Sequence, residues 1–208
     1  MGRTSDARDK ILTSARALIE QRGYSALGVA EICTAARVPK GSFYYFFESK
    51  EALALAVINE HWTRQRQDWA TVLSGEGAPL ERLWGLFDAT QAGLLVGQQG
   101  CGVVSGCMFG NLTLEMSNQT EAVRQRLQEI FAEQAAMVAA VIAEAVDQGQ
   151  ATVPDAQEAA RSIVAQLEGQ VLFAKLYNST QPLDTLRANC AALLAATPAT
   201  HQPSGIAG

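Results

Sequence analysis

Lys40-Gly41-Ser42-Phe43-Tyr44-Tyr45 brings a cation and three hydroxyls into one short stretch. Cations and hydroxyls bind phosphate oxygens and base edges. Gly41 and Ser42 are small enough to let a helix enter a DNA major groove. Lys50 follows Ser49, a good helix N-cap, and so falls at the positive end of a helix. A cation is misplaced there unless a phosphate shares the site. The other reactive side chains are the thiols Cys33, Cys101, Cys107 and Cys190. Cys107 follows Gly106 and is expected in the first turn of a helix. There the amides favour the thiolate, the form that attacks electrophiles. Free cysteine also packs as a small hydrophobe, and Cys33 and Cys190 read that way. Cys101 lies in the glycine-rich run 97–102, where it could resolve an oxidised Cys107.

The elements that must position these groups are helices. In the stretch from Val29 to Phe47, residues Val29, Ile32 and Cys33 share one face, with Gly28 at the N-cap and Glu31 as half of a capping box. Pro39 enforces a break, and a second helix from about Val38 or Pro39 puts Phe43 and Phe47 in the core. Lys40, Gly41, Ser42, Tyr44 and Tyr45 then point outward. Before them, residues 1–4 read as a loose arm, with Thr4 or Ser5 capping a helix over 6–22. Its stripe is Ile11, Leu12, Ala15, Leu18 and Ile19, and Gly23 ends it. The three-helix head buries Leu18, Tyr24, Ile32, Phe43 and Phe47.

Further helices are expected over 49–73, 79–96, 106–116, 119–148, 155–177 and 183–196, with a break at 97–102. The domain reading is a DNA-binding unit over 1–48, a helical effector-binding and dimerisation body over 49–197, and a disordered tail over 198–208. Trp62, Trp69, Trp84, Phe87, Met108, Phe109, Met137, Phe173 and Tyr177 could line an apolar cavity, although such residues more often fill a core. The last two long helices are poor in charge and rich in small apolar residues. That suits a helix-on-helix dimer contact.

VPKGSFYYFFESKEAL resembles the signature of the TetR family of bacterial transcriptional repressors, and the similarity extends back through Ile11-Leu12 and Gly23-Tyr24. Many members carry histidine where this chain has Phe46, so one polar contact near the DNA backbone is absent. The resemblance implies an all-α, TetR-like fold, an inverted-repeat operator in double-stranded DNA, and a homodimer through helices 8 and 9. It also implies a phosphate contact from Lys50. The stretch from Val104 to Ser117, with Thr120-Glu121-Ala-Val-Arg124, Ala174-Lys175 and Gln181-Pro182-Leu183, is similar to the NemR-like, electrophile-sensing branch. In that branch a cysteine matching Cys107 reacts with quinones, aldehydes or oxidants, and a lysine matching Lys175 lies near it. The implied function is a repressor released from its operator by an electrophile or small molecule. The alternative is a purely non-covalent apolar or cationic ligand, with Cys107 structural.

Charge distribution agrees with a DNA-binding head. The 208 residues carry a net −5, but residues 1–50 hold eight Lys or Arg against five acids, leaving −8 for the rest. A basic head can dock on phosphate while an acidic body is repelled. The cysteine spacings fit no zinc pattern, and no apolar run approaches the roughly 18 residues of a membrane span. There is no phosphate-binding glycine loop after a strand, no paired-histidine helix and no nucleophile elbow. The expectation is a cytoplasmic protein that is not an enzyme and needs no cofactor or metal.

Overall fold

The computed structural model describes residues 2–195, those from 2 to 5 by backbone alone. Nine α-helices follow in order among the described residues. They are α1 (Gly2–Arg22), α2 (Val29–Ala36), α3 (Lys40–Phe46), α4 (Lys50–Leu73), α5 (Pro79–Cys101), α6 (Met108–Met116), α7 (Glu121–Asp147), α8 (Ala156–Tyr177) and α9 (Leu186–Ala195). A short 3-10 turn, Gln181–Thr185, precedes α9. No described helix is long and apolar enough to cross a membrane. The expected tail over 198–208 lies outside the described residues.

Helix ends follow local chemistry. Gly28 caps α2 with extended backbone, and Ser49 Oγ accepts the Ala52 amide at 3.0 Å to open α4. Gly23 ends α1 at φ 79°, a left-handed conformation that glycine adopts without steric cost.

Several boundaries differ from the sequence reading. Helix α1 begins at Gly2, so Thr4 and Ser5 are within the helix rather than capping it, and residues 2–4 form no loose arm. Glu31 makes no cap and pairs with Arg22 instead. Helix α5 runs through Gly97 and Gly100 to Cys101, because mid-helix glycine weakens a helix by only about 1 kcal/mol. The chain turns at Gly102, where φ reaches 80°. Cys107 is the N-cap of α6, one residue before the expected first turn.

Two apolar clusters fill the interior. The first joins the head to the body: Ile11, Ile32, Phe43 and Phe47 are continuous with Ile58 and Trp62 of α4, Phe109 and Met116 of α6, and Leu127 of α7. Leu18 and Tyr24 pack against it half-buried. Packing therefore has no break near residue 48. The second cluster lies among α5, α7, α8 and α9 and includes Leu83, Ile142, Ile163, Leu186 and Cys190.

The outer side of α8 is a different surface. Phe173, Leu176 and Tyr177 are exposed there, and Phe173 stacks on Tyr177 at 5.8 Å. Ala188, Ala191 and Ala192 are exposed on α9.

Candidate functional site

The head presents the expected face. Phe43 and Phe47 are buried, so the register of α3 turns Lys40, Gly41, Tyr44 and Tyr45 outward, with Ser42 half-buried beside them. A Cβ at Gly41 would meet nothing within 4 Å, so close approach to this helix is open. Lys50 is more constrained. Its Nζ stands 4.0 Å from the Tyr24 ring centroid, and burial lowers its pKa while the nearby Glu115 raises it. Glu115, on α6, accepts hydrogen bonds from the Tyr24 and Ser25 amides at 2.8 and 2.6 Å.

The body contains two cavities that share a wall. The larger, about 670 Å³, lies among α6, α7 and α8, with Cys107, Phe131, Val164, Glu168 and Lys175 among its lining. The smaller, about 330 Å³, lies among α4, α5 and α8, with His61, Trp69, Leu86, Cys107 and Glu168 in its wall. The loop leading to Cys107 is clipped to the end of α8. Asn178 Oδ1 accepts the Val104 amide at 2.8 Å, and Asn178 Nδ2 donates to Gly102 O at 3.1 Å.

The Cys107 thiol accepts the Gly110 amide at 3.4 Å, the capping contact expected at a helix start. That contact favours the thiolate but does not prevail. Burial first, and then the Glu168 carboxylate, push the thiol well above its usual range. Lys175 lines the same cavity and donates from Nζ to Asn111 Oδ1 at 2.8 Å. The charged group set against the thiol is thus Glu168, with Lys175 held by Asn111.

Residues 11–57 match the family model described as "Bacterial regulatory proteins, tetR family", and residues 79–190, more than half the chain, match "Tetracyclin repressor-like, C-terminal domain". The chain belongs to the TetR family. It is a transcriptional repressor of that family and not an enzyme. It is 30% identical to the HTH-type transcriptional repressor NemR of Escherichia coli (strain K12) over 202 residues, 93% of this chain and 96% of that one. It is 33% identical to the HTH-type transcriptional repressor DhaR of Mycobacterium sp. (strain GP1) over 188 residues, 88% of this chain and 89% of that one. The crystal structure of the reduced form of E. coli NemR superposes with a TM-score of 0.81, covering 93% of this chain and 99% of that one.

In this TetR-family body, the aromatic set expected to line a pocket is mostly core. Phe87, Phe109 and Trp62 are buried, the last with its indole N–H donating to Glu133 at 2.9 Å. Trp84 packs on the core under Arg187, and Met137 fills between the two clusters. Phe173 and Tyr177 are on the outer surface. Met108 and Trp69 do line the smaller cavity. Cys33 and Cys190 are buried, and burial pushes the Cys190 thiol up to about 11. Cys101 is exposed at the end of α5, its thiol donating to Gly97 O at 3.0 Å.

Sequence reasoning missed Glu115 and Glu168. Glu168 stands four residues after Val164 and three before Val171, so helical spacing puts a carboxylate on the inner face of α8. Glu115 carried no local signal, since its partners are about ninety residues away in sequence.

Proposed function

We propose that this TetR-family repressor binds an inverted-repeat operator as a homodimer in the cytoplasm and is released when an electrophile modifies Cys107. Lys40, Ser42, Tyr44 and Tyr45 read the major groove, Gly41 lets the helix approach, and Lys50 holds a phosphate. The DNA-binding unit spans 1–48 and the effector-binding and dimerisation body 49–197. Helices α8 and α9 pair across the two-fold axis. The exposed Phe173, Leu176 and Tyr177 of α8 support this, because a contiguous apolar patch of this kind marks a contact surface.

One observation carries the reading of the switch: helix α6 has Cys107 as its N-cap and Glu115 on the head. An adduct at Cys107 adds bulk to the wall between two cavities, and where it presses on that wall it moves α6, α8 or both. Movement of α6 pulls on the Tyr24–Ser25 turn and tilts the head. A coupling of about 3 kcal/mol would lower operator affinity more than a hundredfold. Similarity to NemR, whose structure is described as a reduced form, supports a sensor of this kind.

A second reading has its own support. The thiol is held protonated, and the cavity of about 670 Å³ is large enough for a non-covalent ligand. The experiment that separates the two is operator release by a quinone, comparing wild type with Cys107→Ser. The sensor reading expects the variant to bind operator normally and to resist release. Equal release in both proteins would leave the reversible ligand as the better account.

A further inference from the structure

Cys107 and Glu168, with Gly106 and Val171, form the wall common to both cavities. Because residue 110 is glycine, the Glu168 side chain of α8 reaches in against α6. A Cβ at Gly110 would stand 2.7 Å from Glu168 Oε2 and 3.6 Å from Cys107 Cβ. The carboxyl thus occupies the space a side chain would need, and it lines the same two cavity walls as the thiol. None of the ion pairs among the described residues includes Glu168.

We propose that Glu168 is the proton acceptor for Cys107, and that the pair adds from the neutral thiol to α,β-unsaturated carbonyl compounds. This rests on the reading of Cys107 as the sensor. Sγ forms a bond to the β-carbon, and the C=C π pair moves toward the α-carbon and carbonyl oxygen. The Sγ–H bond breaks and its proton passes to the Glu168 carboxylate. Protonated Glu168 then returns the proton to the α-carbon, so the product is a thioether and no oxidant or reductant is consumed. Burial raises the carboxyl as well as the thiol, and a carboxylate closer to neutrality is a better base.

The charged groups facing the pair are few. Arg161 and Lys175 come from α8, and His61 and Asp68 from α4. Helices α5, α6 and α7 add no other titratable side chain to either cavity wall among the described residues. His61 is lowered to about 4 by burial and by Arg16 and Arg64, so it stays neutral through the range of the test.

The test follows addition of N-ethylmaleimide to Cys107 by peptide mass spectrometry, in a Cys101→Ser background that removes the exposed thiol. Rates are taken from pH about 5.5 to about 9. The expected profile rises as Glu168 ionises and levels off once it is ionised, below the range in which the thiol itself ionises. Glu168→Gln should lose the plateau and react about tenfold or more slowly near pH 7. Gly110→Ala, which keeps the carboxylate but displaces it, should slow the reaction in the same direction. If Glu168 acted only as a repelling charge, Glu168→Gln would lower the thiol pKa and react faster, and that result overturns the proposal. So does a wild-type rate that climbs steadily to pH about 9 as a simple thiolate would. If Glu168→Gln fails to fold, Gly110→Ala and the wild-type profile decide the matter. Absence of any Cys107 adduct in the wild-type side chain set overturns the sensor reading itself, and is distinct from an adduct that forms at a rate indifferent to Glu168.

Discussion

The Glu115 carboxylate on α6 accepts the backbone N–H of Tyr24 at 2.8 Å and that of Ser25 at 2.6 Å, tying the body to the turn between α1 and α2. Gly23 makes the approach possible, since a Cβ there would come within 3.1 Å of the same carboxylate. Burial alone would raise this carboxyl, but the two amides and the Lys50 charge outweigh it and hold it below the ordinary value. A depressed carboxyl stabilises the fold above its unfolded pKa, near 4.5, and the contribution is lost as pH falls through the folded value. Glu115→Gln should therefore lower the melting temperature near neutral pH by a modest amount, solvent screening the charge on this partly exposed carboxyl. The difference from wild type should narrow on acidification. It should also weaken the response of operator binding to effector while leaving adduct formation at Cys107 unchanged. An unchanged response would show that α6 reaches the head by another contact.

Lys50 gives a separate prediction about DNA. Its ammonium rests over Tyr24 beside Glu115, at the first turn of α4. A phosphate contact from this position is independent of sequence. Lys50→Ala should weaken operator and unrelated DNA alike and reduce the salt slope by about one unit of log K per log salt. Ser42→Ala should instead change which operator variants bind best. Titrations of both DNAs at several salt concentrations check this, and an unchanged slope for Lys50→Ala would remove the phosphate contact.

How much was legible before the structure depended on range. The helical class and family follow from local spacing, and Phe43 and Phe47, four apart, set the register of α3 without any tertiary information. The cavity walls depend on how helices cross. Trp62 and Phe109 could line a pocket but more often such residues fill a core, and they are buried because α4, α6 and α7 close over them. The Glu168–Cys107 pairing needs Gly110 on α6 to leave room for the Glu168 side chain, which helical periodicity within either segment does not reveal. Lys175 was expected near the thiol by resemblance; it lines the same cavity as Cys107, with its ammonium hydrogen-bonded to Asn111.

The dimer surface is best probed at exposed positions. Leu186 is fully buried, so a charge there would unfold the body whether or not α9 forms an interface. Phe173 and Leu176 are exposed and contribute little to the monomer core. Phe173→Glu with Leu176→Glu should give folded monomers by sedimentation, with melting within a few degrees of wild type. Operator affinity should fall by at least tenfold, because a single head makes half the contacts. A double variant that remains dimeric would place the two-fold contact elsewhere.

His61 predicts acid sensitivity with a definite sign. It lies in the wall of the smaller cavity, edge-on to Phe109 at 5.2 Å. Burial, then the charges of Arg16 and Arg64, lower its pKa from 6.5 to about 4. Below 6.5 the unfolded chain takes up a proton that the folded chain refuses, so the unfolded state gains as pH falls. The loss runs from the unfolded value down to the folded one and totals about 3 kcal/mol at about 1.4 kcal/mol per unit. Denaturant titrations of wild type between these limits should show stability declining toward acid. His61→Gln should flatten that decline while lowering stability near neutral pH, where the neutral imidazole packs on Phe109. Because His61 shares its cavity with Cys107, the same acid range should loosen the wall that α6 and α8 form. Stability in His61→Gln that still falls as steeply toward acid would assign the effect to another group.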